Sequence, residues 1–237
     1  MIFVDDRTVV HDHTSWSAVQ FQATTAYTES DEISLIFARH DADAMAHPLP
    51  FNGRVQKVVS VFAGYASARF NAHLAREEFP MSVASQAVLR ERVERSDAHF
   101  DARVFALPSL ELLCAYMRWR ALHDCRRNSI SMLAQVHFAP AELHKVSSNA
   151  ALEMLDRKGV RWEDTLPFFR FGTYVKKEGF LKTGFNPKTK VEVVAHRLRP
   201  SARSFEFVEH EAASFLLERV WPGDGPGPGL GTAKTES

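Results

Sequence analysis

Ser30, Asp31 and Glu32 stand between two short runs that favour extended chain, residues 24–28 and 33–37. Small and acidic residues between β-prone segments predict a hairpin with its bend at Ser30-Asp31-Glu32, which sets two carboxylates at the tip of a rigid element. Adjacent carboxylates repel, and Asn or Gly would fill a bend at less cost. The pair therefore suits a cation. Hard divalent ions prefer oxygen ligands, and Mg²⁺ commonly takes one or two carboxylates together with substrate phosphates. A polar turn in solvent is the plain alternative, and the local pattern taken alone favours it.

Two further groups of residues have spacing suited to chemistry. Arg54 and Lys57 lie three apart in the first turn of a helix expected over residues 53–73 with Asn52 as its N-cap. They share a face, and the helix dipole and free amides at that end make an anion site, although two solvated surface cations would look the same. Arg120, Asp124, Arg127 and Asn128, followed by Ser129, recur at intervals of three or four along a helix expected over residues 110–137. A polar stripe on an otherwise apolar helix reads as a ligand surface or as a ladder of ion pairs. His11, Asp12 and His13 read as a solvated helix face, since i, i+2 spacing turns the imidazoles to different sides. Cys114 and Cys125 fall on the same long helix about 16 Å apart, too far to bridge, and read as packing residues.

Around these groups the chain divides simply. A buried stripe of Val58, Phe62, Ala66 and Phe70 supports the helix over residues 53–73, and mixed charges over residues 82–95 suggest a short surface helix. Residues 100–107 alternate as a strand before Pro108, with Ser109 capping the long helix; Asp101 and Arg103 share a face of that strand and suit an ion pair. Two short helices follow over residues 141–145 and 149–158, the second ended by Gly159, then a loop with Trp162 and Pro167. Residues 171–177 and 190–198 form a β-pair, and residues 205–221 close the fold with a helix. Residues 1–221 make one domain, and the Gly/Pro-rich residues 222–237 are expected to be disordered.

A chain of 237 residues, 45% hydrophobic, can bury a sizeable core. Lys plus Arg equal Asp plus Glu at 29 each, so no global field draws nucleic acid, and RNA contacts would come from local patches. The densest basic stretch is Lys176, Lys177, Lys182, Lys188, Lys190, Arg197, Arg199 and Arg203. No apolar run suits a bilayer and the N-terminus lacks a secretory pattern, so no membrane association and a cytoplasmic location are expected.

The run from Ala26 to Ser34, Tyr-Thr-Glu-Ser-Asp-Glu at its centre, resembles the signature of the tRNA(His) guanylyltransferase family, whose members extend RNA in the 3′-to-5′ direction. Phe100-Asp101-Ala102-Arg103 is similar to a later family strand. Trp119-Arg120 followed by Asp124-Cys125-Arg126-Arg127-Asn128-Ser129 resembles the pattern of the bacterial-type branch. The resemblance implies an α/β (α+β) fold with the palm-like antiparallel sheet of polymerases and cyclases, covered by helices. It implies a tRNA 5′-end nucleotidyltransferase that uses GTP and ATP with two Mg²⁺ ions, and assembly as a homotetramer. In that picture Asp31 and Glu32 are catalytic, with Asp31 a bridging metal ligand. Ser30, Arg54, Lys57, Asp124, Arg127, Asn128 and Ser129 bind nucleotide. The family's first metal-binding strand carries an arginine-x-aspartate-glycine signature. Phe3-Val4-Asp5-Asp6-Arg7 either degrades that signature, making Asp5 the ligand, or matches a later segment, which suits the spacing to Ala26 better and leaves the first strand missing. A catalytically impaired RNA-binding paralogue, or a truncated copy of the fold, is the alternative reading.

Overall fold

In a computed structural model of the chain, residues 20–37, 49–77, 84–207 and 212–221 are described. Four antiparallel strands form one sheet in the order β2-β1-β3-β4, where β1 is Thr25–Glu29, β2 is Glu32–Ile36, β3 is Thr173–Asn186 and β4 is Val191–Arg203. The expected hairpin is present but tighter than anticipated. Only Ser30 and Asp31 connect its strands, with Ser30 at φ 50°, and Glu32 opens β2 opposite Glu29. The Thr28 hydroxyl donates to the Glu32 carbonyl at 3.0 Å and fastens this end.

Every residue of β1 is buried, because the strand is central and covered on both faces. Side chains alternate along a strand, so Thr25, Tyr27 and Glu29 share one face. Tyr27 on that face packs with Tyr174, Met117, Ala121, Phe215, Leu216 and Trp221 in the main core. The register puts Glu32, Ser34 and Ile36 of β2 on the same side. Ala26 and Val175 turn to the opposite face, with Leu35 and Ala202.

The helical layer is built around one long rod. It runs as α3 (Leu110–Arg118), a π-helical turn (Trp119–Asp124) and α4 (Cys125–His137). Ser109 caps it as expected, its Oγ accepting from the Leu112 amide. The first half packs Met117 and Ala121 into the main core; the second packs Ile130 and Ala134 into a separate core with Ala151, Leu155 and Trp162. Ahead of the rod come α1 (Val55–Leu74), whose Phe62 stacks on Phe21 at 3.9 Å, and the surface helix α2 (Ala84–Glu94). After it come α5 (Ser148–Arg157), α6 (Pro167–Phe171) and α7 (Ala212–Leu217). Gly159 ends α5 at φ 72°.

Several expectations need correction. Asn52 does not cap α1: it lies in a 3₁₀ turn (Pro50–Gly53) at φ 56°, and Arg54 occupies the cap position without a side-chain bond to the helix end. Residues 100–107 form no strand. The start of that segment is held by α1 side chains in place of a neighbouring strand: the Phe100 amide donates to the Ser67 hydroxyl at 2.9 Å, and Asn71 bonds both polar atoms of the Ala98 backbone. Residues 141–145 are turns rather than a helix. Pro167 begins a short helix where a loop was expected, consistent with its fixed φ at a first helical position. β3 and β4 are far longer than anticipated, pairing from Tyr174↔Arg203 out to Asn186↔Val191. Only Thr173, Tyr174 and Val175 of β3 pair with β1, and Lys177 bridges to Val220, so the hairpin beyond Lys177 is a two-stranded arm. Residues 222–237 lie outside the described residues.

Lys176 is the buried anchor of the C-terminal segment. Its ammonium donates to Thr25 Oγ1 and the Phe215 carbonyl, each at 2.6 Å, and to the Glu218 carbonyl. Burial pulls this amine down to about 7, with the Glu218 carboxylate working the other way.

Candidate functional site

Strand parity and register decide what gathers at the hairpin tip. Glu29 and Glu32 are direct cross-strand partners on the face toward the rod. Like charges placed so destabilise a sheet unless a cation intervenes. Arg120 supplies it from the π turn. Its guanidinium pairs with Glu32, with Glu29 at 3.5 Å, and with Asp124 one turn further along the rod. Arg127 holds the other oxygen of Asp124 at 2.6 Å, and the Asn128 amide donates to both carboxylate oxygens of Glu29 at 3.3 and 3.4 Å. A π turn is wider than an α turn, and such turns recur at functional sites; here it directs Arg120 and Asp124 to one point.

Glu29 is only 4% exposed, and its carboxyl is pushed up to about 7 by burial, which outweighs the Asn128 hydrogen bond and the Arg120 charge that pull it down. Burial also drives the Cys125 thiol up to about 12 and raises Tyr27 well above the usual phenol range. These are packing groups at neutral pH. The Tyr27 hydroxyl donates to the Phe171 carbonyl at 3.0 Å.

Ligating oxygens of Glu29, Glu32 and Asp124 all lie within 4.8 Å of one another, a spacing a metal ion could use. The Arg120 guanidinium contacts all three of these carboxylates. The trio, of which Glu29 and Asp124 are buried, therefore fits an arginine better than an ion. Asp31 and the half-exposed Glu32 are the carboxylates of the tip open to solvent.

The anticipated residues divide into three groups. Ser30, Asp31, Glu32, Asp124, Arg127 and Asn128 come together at the hairpin tip and the rod beneath it, with Ser30 Oγ 3.6 Å from Met132 Sδ. Ser129 is buried and committed elsewhere: its hydroxyl accepts from Trp162 Nε1 and donates to the Arg126 carbonyl, both at 3.0 Å. Arg54 and Lys57 stand at the start of α1, where Arg54 Nε donates to the Phe51 carbonyl and Lys57 lies 5.1 Å from the Phe51 ring centroid. Neither pairs with a carboxylate among the described residues. Asp101 and Arg103 pair with each other at 3.1 Å in solvent. Asp5, like His11, Asp12 and His13, lies outside the described residues.

Sequence reasoning passed over Glu29 and left Arg120 out of the site. The parity of β1 held the missing signal, since a carboxylate two residues beyond the buried Tyr27 shares its face.

Residues 10–108 match the family model described as tRNAHis guanylyltransferase. An uncharacterized protein of Acanthamoeba polyphaga mimivirus is 30% identical over 168 residues, covering 67% of this chain. Among solved structures, a bacterial tRNA(His) guanylyltransferase-like protein in complex with ATP superposes with a TM-score of 0.61 at 24% identity, over 89% of this chain and 80% of that one. A structure of such a bacterial protein in complex with GTP gives 0.55 at 22% identity, over 88% and 75%. Over residues 10–108, less than half of its length, this chain is similar to the tRNAHis guanylyltransferase family. The motif over Ala26 to Ser34 lies inside the matched segment, whereas the rod and the β3–β4 arm lie beyond it. The palm-like antiparallel sheet with its covering helices is the fold of the bacterial guanylyltransferase-like structures. The chain spans 57% of the length of the mimivirus relative.

Proposed function

We propose that this chain adds nucleotides to the 5′ end of a tRNA in the 3′-to-5′ direction, using GTP and ATP with Mg²⁺. The observation that carries the reading is the hairpin tip: Asp31 and Glu32 face solvent from a strand connection locked onto the rod, next to the Asn128 amide. Asp31 and Glu32 would hold the metal, with Asp5 a further candidate ligand. The ion would supply a lowered pKa at the attacking 3′-hydroxyl and charge neutralisation at the departing pyrophosphate. Ser30 and Asn128 would donate hydrogen bonds to triphosphate oxygens. Arg54 and Lys57 would add cationic contacts to the same phosphates, and Arg127 to the nucleotide. Arg120, being committed to three carboxylates, is a support for this arrangement. Assembly as a homotetramer belongs to the same reading and is measurable by light scattering.

The test is a transferase assay with Mg²⁺, GTP, ATP and a tRNA lacking its 5′ nucleotide. The chain extends the 5′ end by one nucleotide, and Asp31→Ala lowers the rate by at least 100-fold, the scale expected when a charge-stabilising group is lost. A rate in Asp31→Ala within threefold of the unsubstituted chain rejects the assignment. The guanidinium among the buried carboxylates favours a second reading, since it consumes negative charge that a cation would otherwise use. Tight tRNA binding with no product would select that reading, an RNA-binding copy of the fold.

A further inference from the structure

We propose that Arg120 is the positioning residue of the hairpin tip, fixing where Asp31 and Glu32 stand for the reaction; this inference rests on the function proposed above. Asp31 makes no hydrogen bond or ion pair among the described residues, so its place is set by its neighbours on the hairpin. On one side Glu29 is bound by Asn128, and on the other Glu32 is bound by Arg120. Glu29 and Glu32 face each other across the first pair of the hairpin, and two facing carboxylates with no cation between them would spread the strand ends. The guanidinium removes that repulsion, and its planar fork can serve several oxygens at once, which a lysine ammonium on a flexible stem does less well.

Arg120 is itself held in place. Asp124 binds it from within the same turn, Arg127 binds Asp124 at 2.6 Å, and the turn is fixed to the main core through Met117 and Ala121. The chain of contacts runs from core to π turn, to guanidinium, to Glu32, and so to the tip. A residue holding its partner this way acts on the rate through geometry.

The experiment compares the full chain with Arg120→Lys, Arg120→Ala and the double variant Arg120→Met/Glu29→Gln. The double variant lowers the buried charge, so it serves where Arg120→Ala leaves carboxylates uncompensated and fails to fold. Two readouts are taken on each folded variant: hydrogen exchange at the backbone amides of residues 29–33 against those of 173–177, and steady-state kcat and KM for GTP. Loss of the guanidinium is expected to speed exchange at the tip at least tenfold with the control strand unchanged. It is also expected to lower kcat at least 30-fold with KM for GTP within threefold. Arg120→Lys should fall between, and millimolar guanidinium ion should restore at least a tenth of the lost rate to Arg120→Ala. A fall in kcat with unchanged tip exchange would mean that Arg120 acts on substrate directly and overturns the proposal. Faster exchange with unchanged kcat overturns it equally. If the unsubstituted chain makes no product, the proposed function fails and the exchange data alone judge the clamp: faster tip exchange sustains it, and no change removes it.

Discussion

Glu29 shows how a single buried carboxyl ties the site to pH. Its folded value lies near 7 and its ordinary value is 4.5, so between those limits the folded state holds more protons than the unfolded one. Stability then falls as pH rises through that window, by about 3 kcal/mol if the whole shift is realised. Thermal unfolding followed from pH 5 to pH 7, below the range in which neutralisation of buried Lys176 makes stability rise with pH, should show this decline, and Glu29→Gln, which cannot ionise, should flatten it. A wild-type profile that rises over the same range would contradict the burial argument. At this scale the sequence shows which residues carry charge but not which of them meet. Asp31 and Glu32 stand out because they interrupt β-prone runs. The charge that matters structurally, on Glu29, sits inside a strand, and its role depends on which helix covers that face.

Elements were legible where their signals are local. Ser109 announces its cap through a short-range bond, and the length of the rod follows from continuous helical pattern. The alternation of residues 100–107 misled because a strand needs a neighbour, and Ser67 and Asn71 of α1 take the bonds a neighbour would have made. The π turn has no compositional mark at all. Gly172, between α6 and β3, is a junction where backbone geometry is demanding: at φ 69°, a Cβ placed there would come within 2.5 Å of the Tyr27 hydroxyl and 2.7 Å of the Thr28 carbonyl. Gly172→Ala should destabilise the protein by about 2–4 kcal/mol, from steric crowding against β1 together with the backbone conformation. A denaturant midpoint unchanged from wild type would show that the junction relaxes.

At the scale of the molecule, charge is balanced overall and uneven locally. The β3–β4 arm turns Lys182, Arg197 and Arg199 to one face, with Arg199 5.1 Å from the Phe180 ring centroid, while Leu181, Phe185, Val194 and Leu198 are exposed on the other. Under the proposed function, tRNA affinity should fall steeply with salt, and Lys182→Glu with Arg197→Glu should reduce the slope of log K against log salt by about 2. An unchanged slope in a filter-binding titration would take the arm out of RNA contact. The rod has a different consequence for the whole. Its two halves are embedded in two separate apolar clusters, and the wide turn sets the angular phase between them. Each residue of an α-helix turns the chain by about 100°. Excising one residue from the turn would leave each cluster its own helix yet rotate one against the other, so both could not be filled at once. The insertion that forms the turn is thus a mechanical coupling, through which repacking around Trp162 would be felt at the strand connection on the far side of the rod.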